Sequence, residues 1–207
     1  GSIYLSTNLG VHLFNEGKIE YQNKRWGREA TTCRTILKDK NQNTYFATAE
    51  GLFIIGKYKN ELINKDKGLS FNELRCLFID DYGTIYIGTY GNGIDIYYPD
   101  KIEIFNQSTG LPNEKVWSIY KDMNNDLYLG THQGLTVISK SGIQSLDMAD
   151  YNYGNVVKNI LKTQDGKLYI GTTYGINILN NGTNKKLTKE DGLIDTYIMD
   201  MKETPDG

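Results

Sequence analysis

One short segment recurs five times along the chain at an almost constant spacing. It consists of a tyrosine, a hydrophobic residue, a small residue and a threonine, and a glycine follows three or four residues after the threonine. The intervals between successive tyrosines are 41, 41, 42 and 41 residues, and these tyrosines are Tyr4, Tyr45, Tyr86, Tyr128 and Tyr169. A repeat of this length is typical of a solenoid, a propeller or another array of similar units. The period therefore constrains the fold more than any single residue does.

The recurring segment has the composition of a β-hairpin. Tyrosine, isoleucine, leucine and threonine favour strands, and a glycine that takes a positive φ angle permits a tight turn between two of them. The residue before the threonine is always small: Ser6, Ala47, Gly88, Gly130 and Gly171. Small residues inside a strand indicate close approach of another backbone or sheet. We therefore predict sheets that pack face to face.

Four segments in each repeat have the composition of strands, and we name them a, b, c and d. Strand b is the tyrosine segment, strand c begins at the glycine, and strand d is less regular. Strand a alternates apolar and polar residues, and it falls at 32–37, 74–78, 116–120, 157–161 and 197–201. Four antiparallel strands every ~40 residues are the pattern of a β-propeller blade. We predict an all-β propeller, because one such sheet alone buries too little apolar surface to be stable.

The strand count also predicts the domain organisation. The chain reads as a single propeller over residues 1–207, with complete units at approximately 31–71, 72–112, 113–154 and 155–193. The fifth unit combines 3–30 with 194–207, so that the C-terminal strand a completes the N-terminal strands b, c and d. Gly1-Ser2 resembles a cloning remnant, and we expect a fragment. A closed five-unit ring and a slice of a larger propeller both satisfy this count.

The composition argues against nucleic acid and membranes as partners. With 23 basic and 25 acidic side chains, the chain has no charge bias towards nucleic acid or anionic membranes. No apolar stretch approaches the ~18 residues of a membrane span.

Cys33 and Cys76 occupy non-equivalent positions in neighbouring repeats. We expect two free, buried thiols rather than a disulfide.

The sequence offers little catalytic chemistry. His12 lies in a predicted strand and His132 on a predicted hairpin tip, and neither stands at zinc-ligand spacing from a cysteine. Asp80, Asp81 and Asp122 have the character of turn residues, since no calcium-loop pattern surrounds them. No nucleophile elbow or phosphate-binding loop is present. We predict no catalytic residue, metal or cofactor, and a propeller lyase or hydrolase is the enzymatic alternative.

Strand order decides which loops share one end of a sheet. The b–c hairpins and d–a connections lie together, opposite the a–b and c–d turns. We expect ligand binding at the b–c end, where variable loops converge on a rigid scaffold; ordinary hydrated loops are the alternative interpretation. The candidate residues there combine aromatic rings, amides and charges: Trp26, Arg28, Tyr90, Asn92, His132, Gln133, Tyr151 and Tyr174.

Three further candidates lie near the start of strand a. Arg34, Arg75 and Lys158 occupy equivalent positions, where two other repeats carry Trp117 and Met199. Strand a is innermost in a propeller, so we expect the charges of Arg34, Arg75 and Lys158 to surround the channel mouth and to favour an anionic ligand. Arg34, Arg75 and the aligned Trp117 are therefore added to the candidate binding residues. The alternative is that the charged groups only reach solvent while their stems pack.

The repeat around residues 110–135 resembles a known family. It reads GLPNEKVWSIYKD, and LYLGTHQGL follows after a short turn. This pattern is similar to the two-component regulator propeller repeat, and residues 68–96 and 165–178 resemble it too. This sequence carries tyrosine where the family usually carries tryptophan.

The resemblance implies a sensory domain. Members are extracytoplasmic parts of bacterial membrane receptors, commonly hybrid histidine kinases or diguanylate cyclases. It implies a periplasmic or extracellular location, an oligosaccharide or other nutrient-derived ligand, and the remainder of a membrane receptor as partner. Neither nucleic-acid binding nor membrane insertion by this segment is expected. The alternative is an interaction or homodimerisation scaffold without a small ligand.

Overall fold

A computed structural model of the chain describes residues 2–27, 31–57, 60–146, 156–180 and 182–204. Within these ranges the chain forms nineteen strands in five antiparallel sheets. The chain divides into two compact units, Gly1–Ile104 and Phe105–Gly207. The N-terminal unit contains sheets 1 to 3, and the C-terminal unit contains sheets 4 and 5.

The N-terminal unit holds one three-stranded and two four-stranded meanders, in which the order across each sheet follows the chain. Sheet 1 comprises β1 (Ile3–Thr7), β2 (Gly10–Asn15) and β3 (Lys18–Tyr21). Sheet 2 comprises β4 (Cys33–Lys38), β5 (Thr44–Thr48), β6 (Gly51–Ile55) and β7 (Asn60–Ile63). Sheet 3 comprises β8 (Leu74–Ile79), β9 (Ile85–Thr89), β10 (Ile94–Tyr97) and β11 (Ile102–Phe105), whose last residue falls just past the unit boundary.

The C-terminal unit holds two four-stranded meanders of the same kind. Sheet 4 comprises β12 (Val116–Lys121), β13 (Leu127–Thr131), β14 (Gly134–Ser139) and β15 (Gly142–Leu146). Sheet 5 comprises β16 (Val157–Lys162), β17 (Leu168–Thr172), β18 (Gly175–Asn180) and β19 (Thr183–Leu187). Short 3-10 turns follow the last strand of sheets 1, 2, 3 and 5, at Asn23–Trp26, Lys65–Lys67, Gln107–Thr109 and Lys189–Asp191.

The recurring threonine and glycine close every b–c hairpin by the same interaction. The threonine hydroxyl donates to the carbonyl of the following glycine at 2.7–2.9 Å in all five sheets. These glycines have φ angles between 75° and 138°, as predicted. At Gly51, an added Cβ would lie 2.3 Å from the carbonyl oxygen of Ile63. Both the backbone conformation and the nearby chain therefore require glycine there.

The recurring tyrosine is tied to the a–b turn. The hydroxyls of Tyr45, Tyr86 and Tyr128 donate to the carboxylates of Asp39, Asp80 and Asp122, respectively, at 3.0, 3.4 and 3.4 Å. Each carboxylate also accepts backbone N–H groups of its own turn. The tyrosine hydroxyl thus joins strand b to the turn that precedes it, which a tryptophan at the same position would not do in the same way.

Three of the small residues before the threonines, Ala47, Gly130 and Gly171, lie where neighbouring chain segments pack, as predicted, whereas Ser6 is exposed. A Cβ at Gly130 of β13 would lie 2.7 Å from a methyl of Val157 in β16. Ala47 is completely buried in a cluster that joins sheets 2 and 3 and includes Leu74 and Ile87. Within each unit, adjacent sheets therefore bury apolar faces against each other through strands a and b.

The predicted completion of the first sheet is not confirmed. Sheet 1 has three strands within the described ranges, and the segment 195–203 is not assigned to a strand. That segment instead lies against sheet 5, where the amide of Ile198 donates to the Thr172 carbonyl at 3.0 Å. Its Ile198 side chain approaches Gly171 as Val157 approaches Gly130. The segment thus occupies the position that a next strand a would take.

Both cysteines are buried and free, as the sequence predicted. Burial raises the pKa of Cys33 and of Cys76 to about 12 in each case. Such thiols are largely protonated at neutral pH and are poor nucleophiles.

Candidate functional site

The hairpin tips and the d–a connections share one end of the sheets, as predicted. In three sheets a backbone amide at the tip donates to the carbonyl of the residue just before strand a. These hydrogen bonds join Ala49 to Thr32 at 3.0 Å, Tyr90 to Glu73 at 2.9 Å and His132 to Lys115 at 3.1 Å. The tip of each of these hairpins is therefore fixed beside the start of its own strand a. We call this end of a sheet the b–c end.

A β-bulge places one side chain of each strand a at this end. The pairing of strands a and b shifts register at one residue in sheets 2, 3, 4 and 5. The bulged residues are Arg34, Arg75, Trp117 and Lys158. Bulges redirect a side chain away from the regular alternation of a strand. They explain why three candidate residues from strand a, together with Lys158, lie near the hairpin tips.

In the N-terminal unit these side chains form what we call the arginine cluster, consisting of Arg34, Glu73, Arg75 and Tyr90. Arg75 donates to Glu73 Oε1 at 2.8 Å, and Arg34 Nη2 lies 3.6 Å from the same oxygen. The Arg75 guanidinium carbon lies 3.8 Å from the centroid of the Tyr90 ring. Burial, followed by the positive charge of Arg34, lowers the pKa of Arg75. The structure therefore brings three of the predicted residues, Arg34, Arg75 and Tyr90, together around one carboxylate.

The connection that carries Glu73 is anchored by a buried carboxylate. Asp95 of β10 is fully buried, and its Oδ2 accepts the Ser70 amide at 3.0 Å. Its Oδ1 has no hydrogen-bond partner among the described residues. Burial raises the pKa of Asp95 to about 6, against the opposing effect of the Ser70 hydrogen bonds. The Ser70 hydroxyl also donates to the carbonyl of Asn92 at 3.4 Å, so that this predicted residue contributes its backbone.

In the C-terminal unit a second group, the tryptophan cluster, comprises Trp117, His132, Lys158 and Tyr197. The Lys158 ammonium lies 3.3 Å from the centroid of the Trp117 ring and 5.7 Å from that of Tyr197. Burial, followed by the charges of Lys115 and Lys158, lowers the pKa of His132. This cluster pairs a cation with aromatic faces.

The other predicted residues lie apart from these clusters or outside the described ranges. Gln133 and Tyr174 are exposed on hairpin tips, where their amides donate to Thr131 and Thr172. Trp26 ends the 3-10 turn after sheet 1. Arg28 and Tyr151 fall outside the residues that the structure describes.

Sequence reasoning missed Glu73, Asp95 and Tyr197. Glu73 precedes strand a in the position that Thr32 and Lys115 hold in other sheets, so the sequence contained no distinctive signal for it. Asp95 was detectable as the one acidic residue in a position that is otherwise His12, Phe53, Thr136 or Asn177. An acidic side chain next to buried Ile94 in strand β10 requires a hydrogen-bond partner.

An open groove lies at the opposite end of the N-terminal unit. Its cavity of about 610 Å³ is lined by strands and turns of sheets 2 and 3, including Asn43 in a turn and Tyr45, Glu61 and Tyr97 in strands. Burial, then Asp39, raises the pKa of Tyr45 to about 12. The volume is within the usual range for small-molecule sites. This groove is the competing location for a small ligand.

Two further properties concern metals and membranes. In the ranges that the structure covers, no group of three or more histidine, cysteine, aspartate or glutamate side chains is arranged to hold a metal ion. None of the helical segments described there has the length and hydrophobicity of a membrane-spanning helix.

A family model described as "Two component regulator propeller" matches residues 68–91 and 110–133. Each matched segment runs from the d–a connection through strands a and b to the hairpin tip. The first contains Glu73, Arg75 and Tyr90, and the second contains Trp117 and His132. No protein among the curated sequences matches the chain.

Solved structures share the fold at low sequence identity. Two extracellular domains from B. thetaiotaomicron, described as parts of the hybrid two component system BT3049 and the one component system BT4673, each align with a TM-score of 0.78 at 22% and 20% identity. The alignments cover 94% and 99% of this chain but 28% and 29% of those chains. This chain therefore spans less than a third of their length.

A propeller enzyme is also similar. A catalytically inactive virginiamycin B lyase from Staphylococcus aureus aligns with a TM-score of 0.65 at 17% identity, over 89% of this chain and 68% of the lyase. At these identities the similarities establish the fold alone. The predicted β-propeller of antiparallel four-stranded blades is confirmed.

Proposed function

We propose that the chain, whose residues 68–91 and 110–133 match the two-component regulator propeller model, is a non-catalytic sensory propeller of a bacterial signal-transduction receptor. It is extracytoplasmic, and the remainder of the receptor is its partner. Its ligand is a carbohydrate or another nutrient-derived molecule. The observation that carries this proposal is that each matched segment supplies charged and aromatic side chains to the b–c end of its own sheet.

The geometry of both clusters suits recognition of a polar ligand with an apolar face. Tyr90 and Trp117 provide flat rings, against which Arg75 and Lys158 lie. Arg34 adds hydrogen-bond donors near Glu73 Oε1. Ligand sites combine such apolar surfaces with a few well-placed polar groups. The hairpin amides that bind the d–a connections keep these groups in place before a ligand arrives. A preorganised site loses less entropy on binding.

Isothermal titration calorimetry of the protein with a panel of oligosaccharides tests the proposal. Tyr90→Ala should weaken binding about tenfold, because stacking on an aromatic ring contributes about 1 kcal/mol or more. Tyr82→Ala is the matched control, since Tyr82 is 87% exposed on the a–b turn of the same sheet. An equal loss of affinity in both variants would contradict a site at the b–c end. So would a loss of affinity that occurs only when Tyr45 or Tyr97, in the groove, is substituted.

The same panel separates sensing from catalysis. A sensory module binds a sugar and returns it unchanged, whereas a propeller lyase or hydrolase converts it. The surroundings of His132 favour its neutral form through burial and two nearby lysines. Incubation of each bound ligand followed by mass spectrometry reveals any turnover, and conversion that depends on His132 would establish the enzymatic alternative.

A second candidate function is that of a protein-contact scaffold, including a homodimer. It is favoured by the exposed apolar side chains of sheet 1. Ile3 and Leu5 of β1 are 54% and 40% exposed, whereas the corresponding Ile85 and Ile87 of β9 are 1% and 0% exposed. Exposed apolar patches mark interaction surfaces. Sedimentation of the wild type and of Leu5→Lys tests it, since a dimer that uses this face dissociates in the variant.

A further inference from the structure

The arginine cluster holds two guanidinium groups around a single carboxylate. Glu73 Oε1 accepts from Arg75 at 2.8 Å and lies 3.6 Å from Arg34 Nη2. Arg34, Arg75 and Glu73 together carry a net charge of +1. Guanidinium groups bind carboxylate and sulfate oxygens through paired, charge-assisted hydrogen bonds. Arg34 therefore pairs with Glu73 at a distance too long for a hydrogen bond, and its partly exposed guanidinium group can donate to a further anion.

The two arginines differ in burial in a way that suits a binding site. The Arg75 side chain is 9% exposed and is held against the Tyr90 ring, while the Arg34 side chain is 33% exposed. Burial, followed by the positive charge of Arg34 beside it, lowers the pKa of Arg75. An anion arriving from solvent meets Arg34 first and lies within the field of Arg75. Partial burial strengthens that attraction relative to bulk water.

The surrounding backbone is held while the Glu73 side chain remains accessible. The Glu73 carbonyl accepts the Tyr90 amide, and Asp95 anchors the same connection through Ser70. The Glu73 side chain is itself 33% exposed. It can leave the arginines by rotation about its own side-chain bonds, without any change in the backbone.

We propose that the arginine cluster is an anion subsite, which takes a carboxylate or sulfate group of the ligand in exchange for the Glu73 carboxylate. This inference rests on the proposed sensory function and names the chemical class of its ligand. Glu73 is a built-in competitor that neutralises the arginines when the site is free. When an anion displaces the Glu73 carboxylate, the contacts of the connection between sheets 2 and 3 change. The effect of binding on the protein is therefore expected in this connection.

The C-terminal unit shows why this property belongs to the arginine cluster. The equivalent bulge positions there hold Trp117 and Lys158, and Lys158 pairs with the aromatic ring. One ammonium on a ring lacks the two convergent forks that planar anions prefer. The equivalent bulge positions therefore carry two guanidinium groups in the N-terminal unit and a cation–aromatic pair in the C-terminal unit.

The test compares two oligosaccharides that differ in one group, a glucuronate-containing disaccharide and its glucose counterpart, with inorganic sulfate as a competitor. Calorimetry at 50 and 500 mM NaCl should give at least about tenfold tighter binding of the glucuronate, equivalent to about 1.4 kcal/mol, and a loss of this preference at high salt. Arg34→Ala should remove the preference, and Arg34→Lys should restore part of it. Sulfate should compete with the glucuronate for the wild type.

Glu73→Gln gives the most discriminating result. It should bind the glucuronate about three- to tenfold tighter than the wild type, because the competing charge is gone. A residue with only a structural role would not tighten binding when it is substituted. Lys101→Ala and Glu103→Gln, an exposed ion pair on the same sheet, are the matched controls and should leave both affinities unchanged.

The outcomes separate the two proposals. Equal affinity for the charged and neutral disaccharides, or weaker glucuronate binding by Glu73→Gln, would overturn the anion subsite and leave sensing intact. Failure of the wild type to bind the sulfate, either disaccharide or any member of the oligosaccharide panel would overturn both. Thermal unfolding of each variant checks that the substitutions leave the fold in place.

Discussion

The ammonium group of Lys162 lies 2.6 Å from Oδ2 of Asp122, across the junction between sheets 4 and 5. Lys162 ends strand β16, and Asp122 begins the a–b turn of the preceding sheet. The Asp122 side chain is 4% exposed, and the same oxygen accepts the Tyr128 hydroxyl at 3.4 Å. One carboxylate thus links a turn, the recurring tyrosine and the next sheet.

Replacing Lys162 by methionine should destabilise the C-terminal unit. Burial opposes the charged form of Asp122, but the hydrogen bonds from Lys162, Asp126 and Asn124 outweigh it and lower the pKa of this carboxyl. Loss of Lys162 leaves a nearly buried carboxylate without its cation, and we expect a cost of about 1–3 kcal/mol in the free energy of unfolding at pH 7. Chemical denaturation measures it, and Lys167→Met at an exposed 2.6 Å ion pair should cost less than about 0.5 kcal/mol.

The same pair predicts a dependence on acid. A carboxyl whose pKa is lowered in the folded state stabilises the protein above its unfolded value of about 3.9, and that stability is lost as the pH falls through the folded value. The difference between the wild type and Lys162→Met should therefore shrink below about pH 4. A difference that stays constant from pH 7 to pH 3 would show that packing, rather than charge, accounts for the effect.

Removing the threonine hydroxyl from a hairpin should matter only where the hairpin is buried. Thr131 and Thr7 make the same two hydrogen bonds, at 2.9 Å to a glycine carbonyl and 3.2 Å from a tip amide. Thr131 is 1% exposed, whereas Thr7 is exposed. Thr131→Val should cost about 1–3 kcal/mol, and Thr7→Val less than about 1 kcal/mol, because water replaces the lost partner at Thr7. Similar losses in urea denaturation would refute this explanation.

Asp95→Asn should stabilise the protein at neutral pH. The pKa of Asp95 is raised to about 6 by burial, so the folded state binds its proton more tightly than the unfolded chain does. Its favourable contribution is complete below about pH 4 and is lost as the pH rises through 6. Asparagine keeps an acceptor for the Ser70 amide without the buried charge, and Asn177 already occupies the equivalent site in sheet 5 at 4% exposure.

We expect a gain of about 1 kcal/mol for Asp95→Asn at pH 7.5, below the ~3 kcal/mol that the raised pKa of Asp95 would allow. The free energies of unfolding of variant and wild type should converge near pH 4. Thr136→Val, at the equivalent buried position of sheet 4, is the control for a substitution that changes no charge. A gain for Asp95→Asn that persists unchanged at pH 4 would show that the carboxylate charge is not its cause.

The two thiols should be inert in the folded protein. Cys33 and Cys76 are buried, with their pKa values raised to about 12. Ellman's reagent should report no rapid reaction in native buffer and two thiols after denaturation in guanidinium chloride. A single fast-reacting thiol in native buffer would contradict the burial of Cys33 or Cys76.

Much of the fold follows from short-range patterns in the sequence. The spacing of the tyrosines predicts the number of sheets, and the glycines of the b–c hairpins predict turns with positive φ, because both depend on local geometry. The small residues at 47 and 130 predict close packing, because a side chain there has no space. The role of 195–203 was less predictable, since an alternating segment becomes a strand only when a strand is available to pair with it.

The candidate site was predictable only in part. Arg34, Arg75 and Trp117 stand out because they align with each other in the repeats. Their meeting with Glu73 and Tyr90 depends on a bulge in strand a, and a single extra residue in a ladder leaves no clear mark in the sequence. Asp95 was overlooked because its partner, Ser70, is 25 residues away and donates a backbone amide.

The hairpin tips are attached through their main chain. The amides of Ala49, Tyr90 and His132 make the bond to the neighbouring connection, and this bond is the same whatever side chain the residue carries. Mutation at these three positions can therefore alter what the surface recognises while the blade still assembles. During evolution, ligand specificity can therefore change through substitutions at the hairpin tips while the fold is retained.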